Sequence, residues 1–258
     1  MLVIMLLKAE KLTKQFDGLV ANNEISFDLA KGEILAIIGP NGAGKSTLFN
    51  LVSGMLQPCA GRVFLEGKDI TGLKPHSRAE LGISRTFQTT TLFDELRVMD
   101  NLTIGYRVRT KTGFWDALLH TPRWRREKEE TEAKVMETLD FIGMREQAYQ
   151  FASTLSQEAQ KRLAIGVAMV SDPKIILLDE PTAGVIQDET DTITELIRKL
   201  KDKGITVCLI EHKMRMIMGL ADRIVVLNYG EKIAEGSPEE ISGNPAVIAA
   251  YLGGEYIA

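Results

Sequence analysis

Nine residues, Gly39-Pro40-Asn41-Gly42-Ala43-Gly44-Lys45-Ser46-Thr47, fit G-x-x-x-x-G-K-[ST] and narrow the folds open to this chain. The apolar run Ile34-Leu35-Ala36-Ile37-Ile38 reads as a buried strand leading into them, and Thr47-Leu48-Phe49-Asn50-Leu51-Val52 as a helix leading out. Glycines let successive backbone N–H groups turn inward toward phosphate oxygens, where a Cβ would obstruct. The helix N-terminus adds its positive dipole end. The loop is therefore expected to wrap a nucleotide triphosphate through Gly39, Asn41, Gly42, Gly44 and Thr47. Lys45 would reach the terminal phosphates, and the Ser46 hydroxyl would ligate Mg²⁺.

A second acidic element follows. Ile175-Ile176-Leu177-Leu178 is an apolar strand ending in Asp179-Glu180-Pro181. An Asp at such a strand end can hold Mg²⁺, and the adjacent Glu180 can orient or deprotonate an attacking water.

The rest of the chain supplies the frame. Residues 2–30 alternate apolar and polar around Asp17-Gly18 and Asn22-Asn23, as antiparallel strands do; Gly61 to Asp69 reads as another strand and turn. From about 89 to 170 the texture is helical, with an amphipathic helix expected over 127–143 and another over 157–171. Strands at Ile175–Leu178, Thr206–Ile210 and Ile224–Leu227 then alternate with helices near 187–202 and 213–220. The expected fold is α/β: a P-loop core with a mostly parallel sheet, an N-terminal antiparallel β subdomain and an inserted helical subdomain.

At 258 residues and 45% hydrophobic, the chain can bury one large core. A net charge of −4 argues against nucleic acid as the partner. Cys59 and Cys208 are too few for a disulfide framework and point to inert thiols in a reducing cytosol. No apolar run reaches the roughly 18–20 residues of a membrane helix. Met1 to Leu7 is too short for a signal core and lacks a basic region before it. Residues 107–128 are locally basic, with seven Arg or Lys against Asp116 and Glu127, and carry Phe114, Trp115 and Trp124. Two readings stand for this segment: a solvated helical excursion, or a contact with anionic lipid headgroups or a partner.

Taken together, the chain resembles the ATPase subunit of an ABC transporter over nearly its whole length, as one ATPase domain spanning 1–258. Gly39 to Thr47 resembles the Walker A motif and Ile175 to Glu180 the Walker B motif. The resemblance implies roles for three further residues. Gln88, in Arg85-Thr86-Phe87-Gln88, matches the Q-loop glutamine that senses Mg²⁺ and the attacking water. His212, in Leu209-Ile210-Glu211-His212, matches the switch histidine at the γ-phosphate. Phe16 stands where an aromatic stacks on adenine. Gly18-Leu19-Val20-Ala21, Ile83 to Gln88, Lys111 to Pro122 and Ala249 to Gly253 are similar to the importer ATPases for branched-chain amino acids, amides or urea. That likeness implies ATP-driven uptake, two permease subunits, an external solute-binding protein, and a peripheral place on the cytoplasmic face of the membrane.

Two segments depart from the family pattern. Where L-S-G-G-Q or L-x-Y-G-Q is expected, the chain has Leu155-Ser156-Gln157-Glu158-Ala159. In the family this signature approaches the ATP of the opposite subunit. Leu155 and Ser156 fit, but Glu158 replaces a glycine. Two like unit charges about 4 Å apart cost on the order of 4 kcal/mol at an effective dielectric near 20. The D-loop, Thr182-Ala183-Gly184-Val185-Ile186-Gln187-Asp188, also lacks its usual polar pair. Elements serving the chain's own nucleotide look intact, whereas those serving a partner's look damaged. A heterodimer with a second ATPase subunit is the favoured expectation, with a homodimer as its alternative. A Mg²⁺-dependent ATPase is the leading functional reading. An ATP-gated binding module with weak hydrolysis is the second. A DNA-repair or translation ATPase is the third, and this chain lacks the paired ATPase units and long insertions that usually mark it.

Overall fold

The computed structural model describes residues 4–86 and 92–252. The chain opens with a long hairpin, β1 (Met5–Phe16) and β2 (Leu19–Ala30), antiparallel and turned at Asp17-Gly18. Both turn residues have positive φ, 41° and 96°, the twist that lets a two-residue turn continue into right-twisted strands. β3 (Ile34–Ile38) and α1 (Lys45–Ser53) flank the glycine loop. Next come β4 (Ala60–Leu65), β5 (Lys68–Asp69), α2 (Pro75–Glu80) and β6 (Ile83–Arg85). A helical stretch holds α3 (Val98–Tyr106), α4 (Phe114–Leu118), α5 (Pro122–Phe141) and α6 (Gln157–Met169). The chain then alternates through β7 (Ile175–Asp179), α7 (Gln187–Asp202), β8 (Thr206–Ile210), α8 (Met214–Leu220), β9 (Arg223–Asn228) and β10 (Glu231–Gly236). It closes on α9 (Pro238–Ser242) and α10 (Pro245–Leu252).

Two sheets result. The first is antiparallel, in the order β2-β1-β4-β5. The second runs β10-β9-β3-β8-β7-β6, parallel except for the antiparallel edge strand β10. Every residue of β3, β7 and β8 is buried, as strands covered on both faces require. Alternation divides their side chains between two cores. Leu35, Ile37, Leu177, Cys208 and Ile210 pack toward α1 and the antiparallel sheet. Ile34, Ala36, Ile38, Ile176, Leu178, Val207 and Leu209 pack toward the helical stretch, α7 and α8. The α/β fold with a mainly parallel sheet and an antiparallel N-terminal sheet is thus present.

The expected helix over 127–143 begins earlier, at Pro122, and ends at Phe141. Its start is set by Thr121, whose Oγ1 accepts from the Trp124 N–H at 3.3 Å, followed by Pro at the first helical position. The buried positions start only at Thr131 and Val135, where the helix reaches the core, so periodicity marks the beginning too late. Burial pushes the Cys208 thiol pKa up, which keeps it an inert core group. No helix among the described residues is long and apolar enough to cross a membrane.

Candidate nucleotide site

The glycine loop is held by close backbone approach on two sides. A Cβ on Gly39 would fall 2.1 Å from the Leu227 carbonyl oxygen of β9; one on Gly44 would fall 2.3 Å from that of Ala21 in β2. Both residues also have positive φ, 151° and 95°, so glycine is required twice over. Asn22 Nδ2 donates to the Gly44 carbonyl at 3.1 Å, fixing the loop to the antiparallel sheet. Gly44 gives α1 no side-chain cap. Among the described residues, the N–H groups of Gly42, Gly44, Lys45 and Ser46 have no acceptor. Lys45 is buried, and its Nζ donates to the carbonyls of Gly39 (2.7 Å) and Pro40 (2.8 Å). Burial lowers its pKa, and the carboxylates of Glu180 and Asp179 pull the other way.

β7 delivers the acidic pair. Asp179 is buried, and its Oδ2 accepts from Arg85 at 2.9 Å. Arg85 is itself positioned by Asn50 Oδ1 (2.6 Å) and Ser53 Oγ (3.0 Å) of α1. The other oxygen, Asp179 Oδ1, is buried with no hydrogen-bond partner among the described residues. Burial raises the Asp179 pKa, and the Arg85 guanidinium opposes that rise. Glu180 sits in left-handed backbone at φ 49°, a conformation costing on the order of 1–3 kcal/mol, with its N–H on the Ile210 carbonyl at 2.9 Å. That backbone leaves Glu180 Oε1 3.0 Å from His212 Nε2. Buried Glu211 steadies the histidine by accepting from the His212 N–H (2.7 Å), the Thr182 N–H (3.0 Å) and the Thr182 hydroxyl.

These groups open onto one cleft of about 560 Å³. Phe16, Asn41, Gly42, Gly44, Lys45, Ser46, Thr47, Glu180 and His212, all expected at a site, line it. Gly39 accepts from Lys45 Nζ and does not line it; Asp179 does not line it either, and stands beside Glu180 in the chain, paired with Arg85. Gln88 lies outside the described residues. Phe16 is 42% exposed on the rim, with Lys14 Nζ 5.2 Å from its ring centre. Three contributors went unread in the sequence: Arg85, Asn22 and Tyr229. Tyr229 is 87% exposed, at positive φ in the turn after β9, and shares the rim. A larger hollow of about 740 Å³ lies against β1 and β4 with mixed charges; no loop residue lines it.

The cleft suits a nucleotide with its divalent cation. The unpartnered N–H groups are donors for phosphate oxygens. The unpartnered Asp179 Oδ1 and the Ser46 hydroxyl are hard oxygen ligands of the kind Mg²⁺ takes.

The signature segment lies apart from this cleft. Ser156 caps α6 by accepting from the Ala159 N–H at 3.2 Å. Glu158 has a neighbour of opposite charge in this chain. Its Oε1 lies 2.6 Å from Arg162 Nε, one turn along the same helix, an i,i+4 ion pair that offsets part of its charge. The two departing segments also meet, since a Cβ on Gly184 would fall 2.5 Å from Gln157 Oε1.

The sequence matches the model of the ABC transporter family over residues 22–183. The chain belongs to that family. A second model, for branched-chain amino acid ATP-binding cassette transporters, matches residues 231–257. The chain is 43% identical to the high-affinity branched-chain amino acid transport ATP-binding protein LivG of Salmonella typhimurium, over 96% of this chain and 98% of the relative. It is 41% identical, at the same coverage, to the corresponding protein BraF of Pseudomonas aeruginosa. Among solved structures, a nucleotide-free ATP-binding cassette from an ABC transporter aligns with TM-score 0.84 and 35% identity, covering 96% of this chain and 98% of that one. The ADP conformation of an ATP-binding cassette aligns with TM-score 0.84 and 34% identity, covering 96% and 99%. This cassette is thus a nucleotide-binding ABC ATPase, and family membership favours hydrolysis over the weakly hydrolysing binding module.

Proposed function

We propose that the cassette powers an importer for branched-chain amino acids or a related small polar solute. In this reading it works at the cytoplasmic face of the cell membrane, bound to two permease subunits, with an external binding protein delivering the solute. The relatives named for branched-chain amino acid transport support the solute class. The observation that carries the ATPase part is the convergence of unpartnered loop N–H groups, Lys45 and the Glu180–His212 pair on one cleft.

The geometry supports the following roles for the described residues, and family resemblance alone supplies that of Gln88. Phe16 offers a ring face to adenine. The N–H groups of Gly42, Gly44, Lys45 and Ser46 bind phosphate oxygens, and Lys45 exchanges two carbonyls for the β- and γ-phosphates. Ser46 and Asp179 would hold Mg²⁺, which supplies charge neutralisation on the phosphates, with Gln88 completing its surroundings. Glu180 accepts a proton from water as the water oxygen bonds to the γ-phosphorus and the bond to the ADP oxygen breaks; ADP and phosphate leave. His212 holds the Glu180 carboxylate in place and contacts the γ-phosphate.

For the partner we favour a different ATPase subunit. Ser156 and Arg162 already occupy groups in the first turn of α6, and Gln157 sits against Gly184 of the D-loop, so the trans face is altered as a unit. The test is ATP turnover by the purified chain alone and mixed with the ATPase encoded beside it. Low activity alone and a substantial gain in the mixture are expected. Changing Gln157-Glu158-Ala159 to Gly-Gly-Gln should raise the homodimer rate. Equal turnover alone and mixed, with no gain from the altered segment, would overturn the asymmetric pairing.

A further inference from the structure

The basic segment 107–128 folds into the α4–α5 hairpin, whose apex spans Leu118 to Thr121. Its two carboxylates are spent internally. Asp116 accepts from the Gly113 N–H (3.3 Å) and the Thr121 hydroxyl (3.0 Å). Glu127 accepts from the Lys111 N–H (2.9 Å) and from the Thr112 N–H and hydroxyl (3.2 Å each). Two cations are also occupied: Arg109 donates to the Ser171 and Asp172 carbonyls, and Lys128 lies over the Trp124 ring and 3.7 Å from Glu132. Arg107, Lys111, Arg123, Arg125 and Arg126 are exposed and form no ion pair among the described residues. Internal pairing therefore occupies the segment's own acids; exposed Glu129 and Glu130 lie one turn farther along α5, so the positive charge is concentrated at the apex end of the hairpin.

The apex is also apolar. Leu118 is 56% exposed, Leu119 71% and Trp115 70%. Arg123, Arg125 and Arg126 follow within about 6 Å of helix rise from Pro122. His120 meets the Trp124 ring edge-on at 4.7 Å, and Thr121 caps α5, so the apex is built rather than frayed. Exposed Leu and Trp ringed by unpaired arginines match the interface of a bilayer, where apolar side chains enter the headgroup region and cations meet lipid phosphates.

We propose that the α4–α5 apex is a contact site for a bilayer surface bearing anionic lipid. Leu118, Leu119 and Trp115 seat among the headgroups, and Arg123, Arg125 and Arg126 with Lys111 meet the phosphates. None of these residues lines the nucleotide cleft, so the contact orients the subunit on the membrane without entering its chemistry.

The experiment is co-sedimentation of the purified chain with phosphatidylcholine vesicles, with and without phosphatidylglycerol. Binding is expected only with phosphatidylglycerol, and it should weaken as salt rises. Each neutralised arginine should cost about fivefold, so Arg123→Gln/Arg125→Gln/Arg126→Gln together should bind roughly a hundredfold more weakly. Leu118→Ser/Leu119→Ser should weaken binding at every salt concentration. ATP affinity should be unchanged in both variants, which shows that they fold. Equal binding to both vesicle types, or undiminished binding by the arginine variant, would overturn the proposal. Cross-linking of the apex to the permease with no vesicle binding would also overturn it, and would assign the apex to an acidic protein surface.

Discussion

Two helices of this cassette begin in opposite ways. α1 starts after Gly44 with no side-chain cap and with donors left open toward the cleft; α6 starts after Ser156, which caps it, and carries the Glu158–Arg162 pair in its first turns. The far end of α1 compensates. Gly54 donates its N–H to the Leu51 carbonyl at 3.3 Å, and fully buried Arg78 donates to the Leu51 (2.8 Å) and Val52 (2.6 Å) carbonyls. A cation against the last carbonyls complements the helix dipole. Burial pushes the Arg78 pKa down to about 10, and the Asp69 carboxylate opposes that fall. The contrast teaches that a binding terminus is one where local satisfaction is withheld while the rest of the helix is secured elsewhere.

The largest effect should come from the group that the open terminus serves. Glu180→Gln should lower ATP hydrolysis by about 10²–10⁴-fold while ATP still binds, as read by steady-state turnover beside equilibrium nucleotide binding. Wild-type turnover in a hydrolysis-competent complex would remove Glu180 from the proton transfer. Lys45→Ala should next weaken ATP binding by about 1.5–3 kcal/mol, the worth of a hydrogen bond to a charged group, with little change in urea unfolding of the nucleotide-free chain. At the closed terminus the readout should reverse. Ser156→Ala should cost about 0.5–2 kcal/mol of unfolding free energy yet leave ATP affinity of the isolated chain alone. If Ser156→Ala instead weakened ATP binding as Lys45→Ala does, the distinction between the two termini would fail. The smallest effect belongs to the rim: Phe16→Ala should weaken ATP binding by about 0.5–1.5 kcal/mol, and an unchanged dissociation constant would take Phe16 off the adenine.

The frame and the loop could be read directly because local pattern and tertiary role coincide there. Fully buried β3, β7 and β8 are continuous apolar runs, and Gly39 to Thr47 states its spacing outright. The residues that went unread act across the chain. Arg85 reaches Asp179 over 94 positions, and Asn22 reaches Gly44 over 22, so nothing adjacent marks either one. Glu158 is a different case. Its partner Arg162 stands four residues on, a spacing visible in the sequence, whereas its distance to a phosphate on another subunit is not. The start of α5 was misplaced because Thr121-Pro122 announces a helix before any apolar residue does.

The nucleotide loop leans on the N-terminal hairpin. Gly44 packs on Ala21 and accepts from Asn22, while the Asn23 N–H reaches the Gly230 carbonyl at 2.8 Å. This has a consequence for dissecting the molecule. A fragment starting at Lys31 would retain every residue of the phosphate motif and both members of the acidic pair, and would still be an incomplete site. It would lose the wall that shapes the loop along with the aromatic on the rim. A fragment that lacks the hairpin is therefore expected to bind nucleotide less tightly than the whole chain, although it keeps every motif.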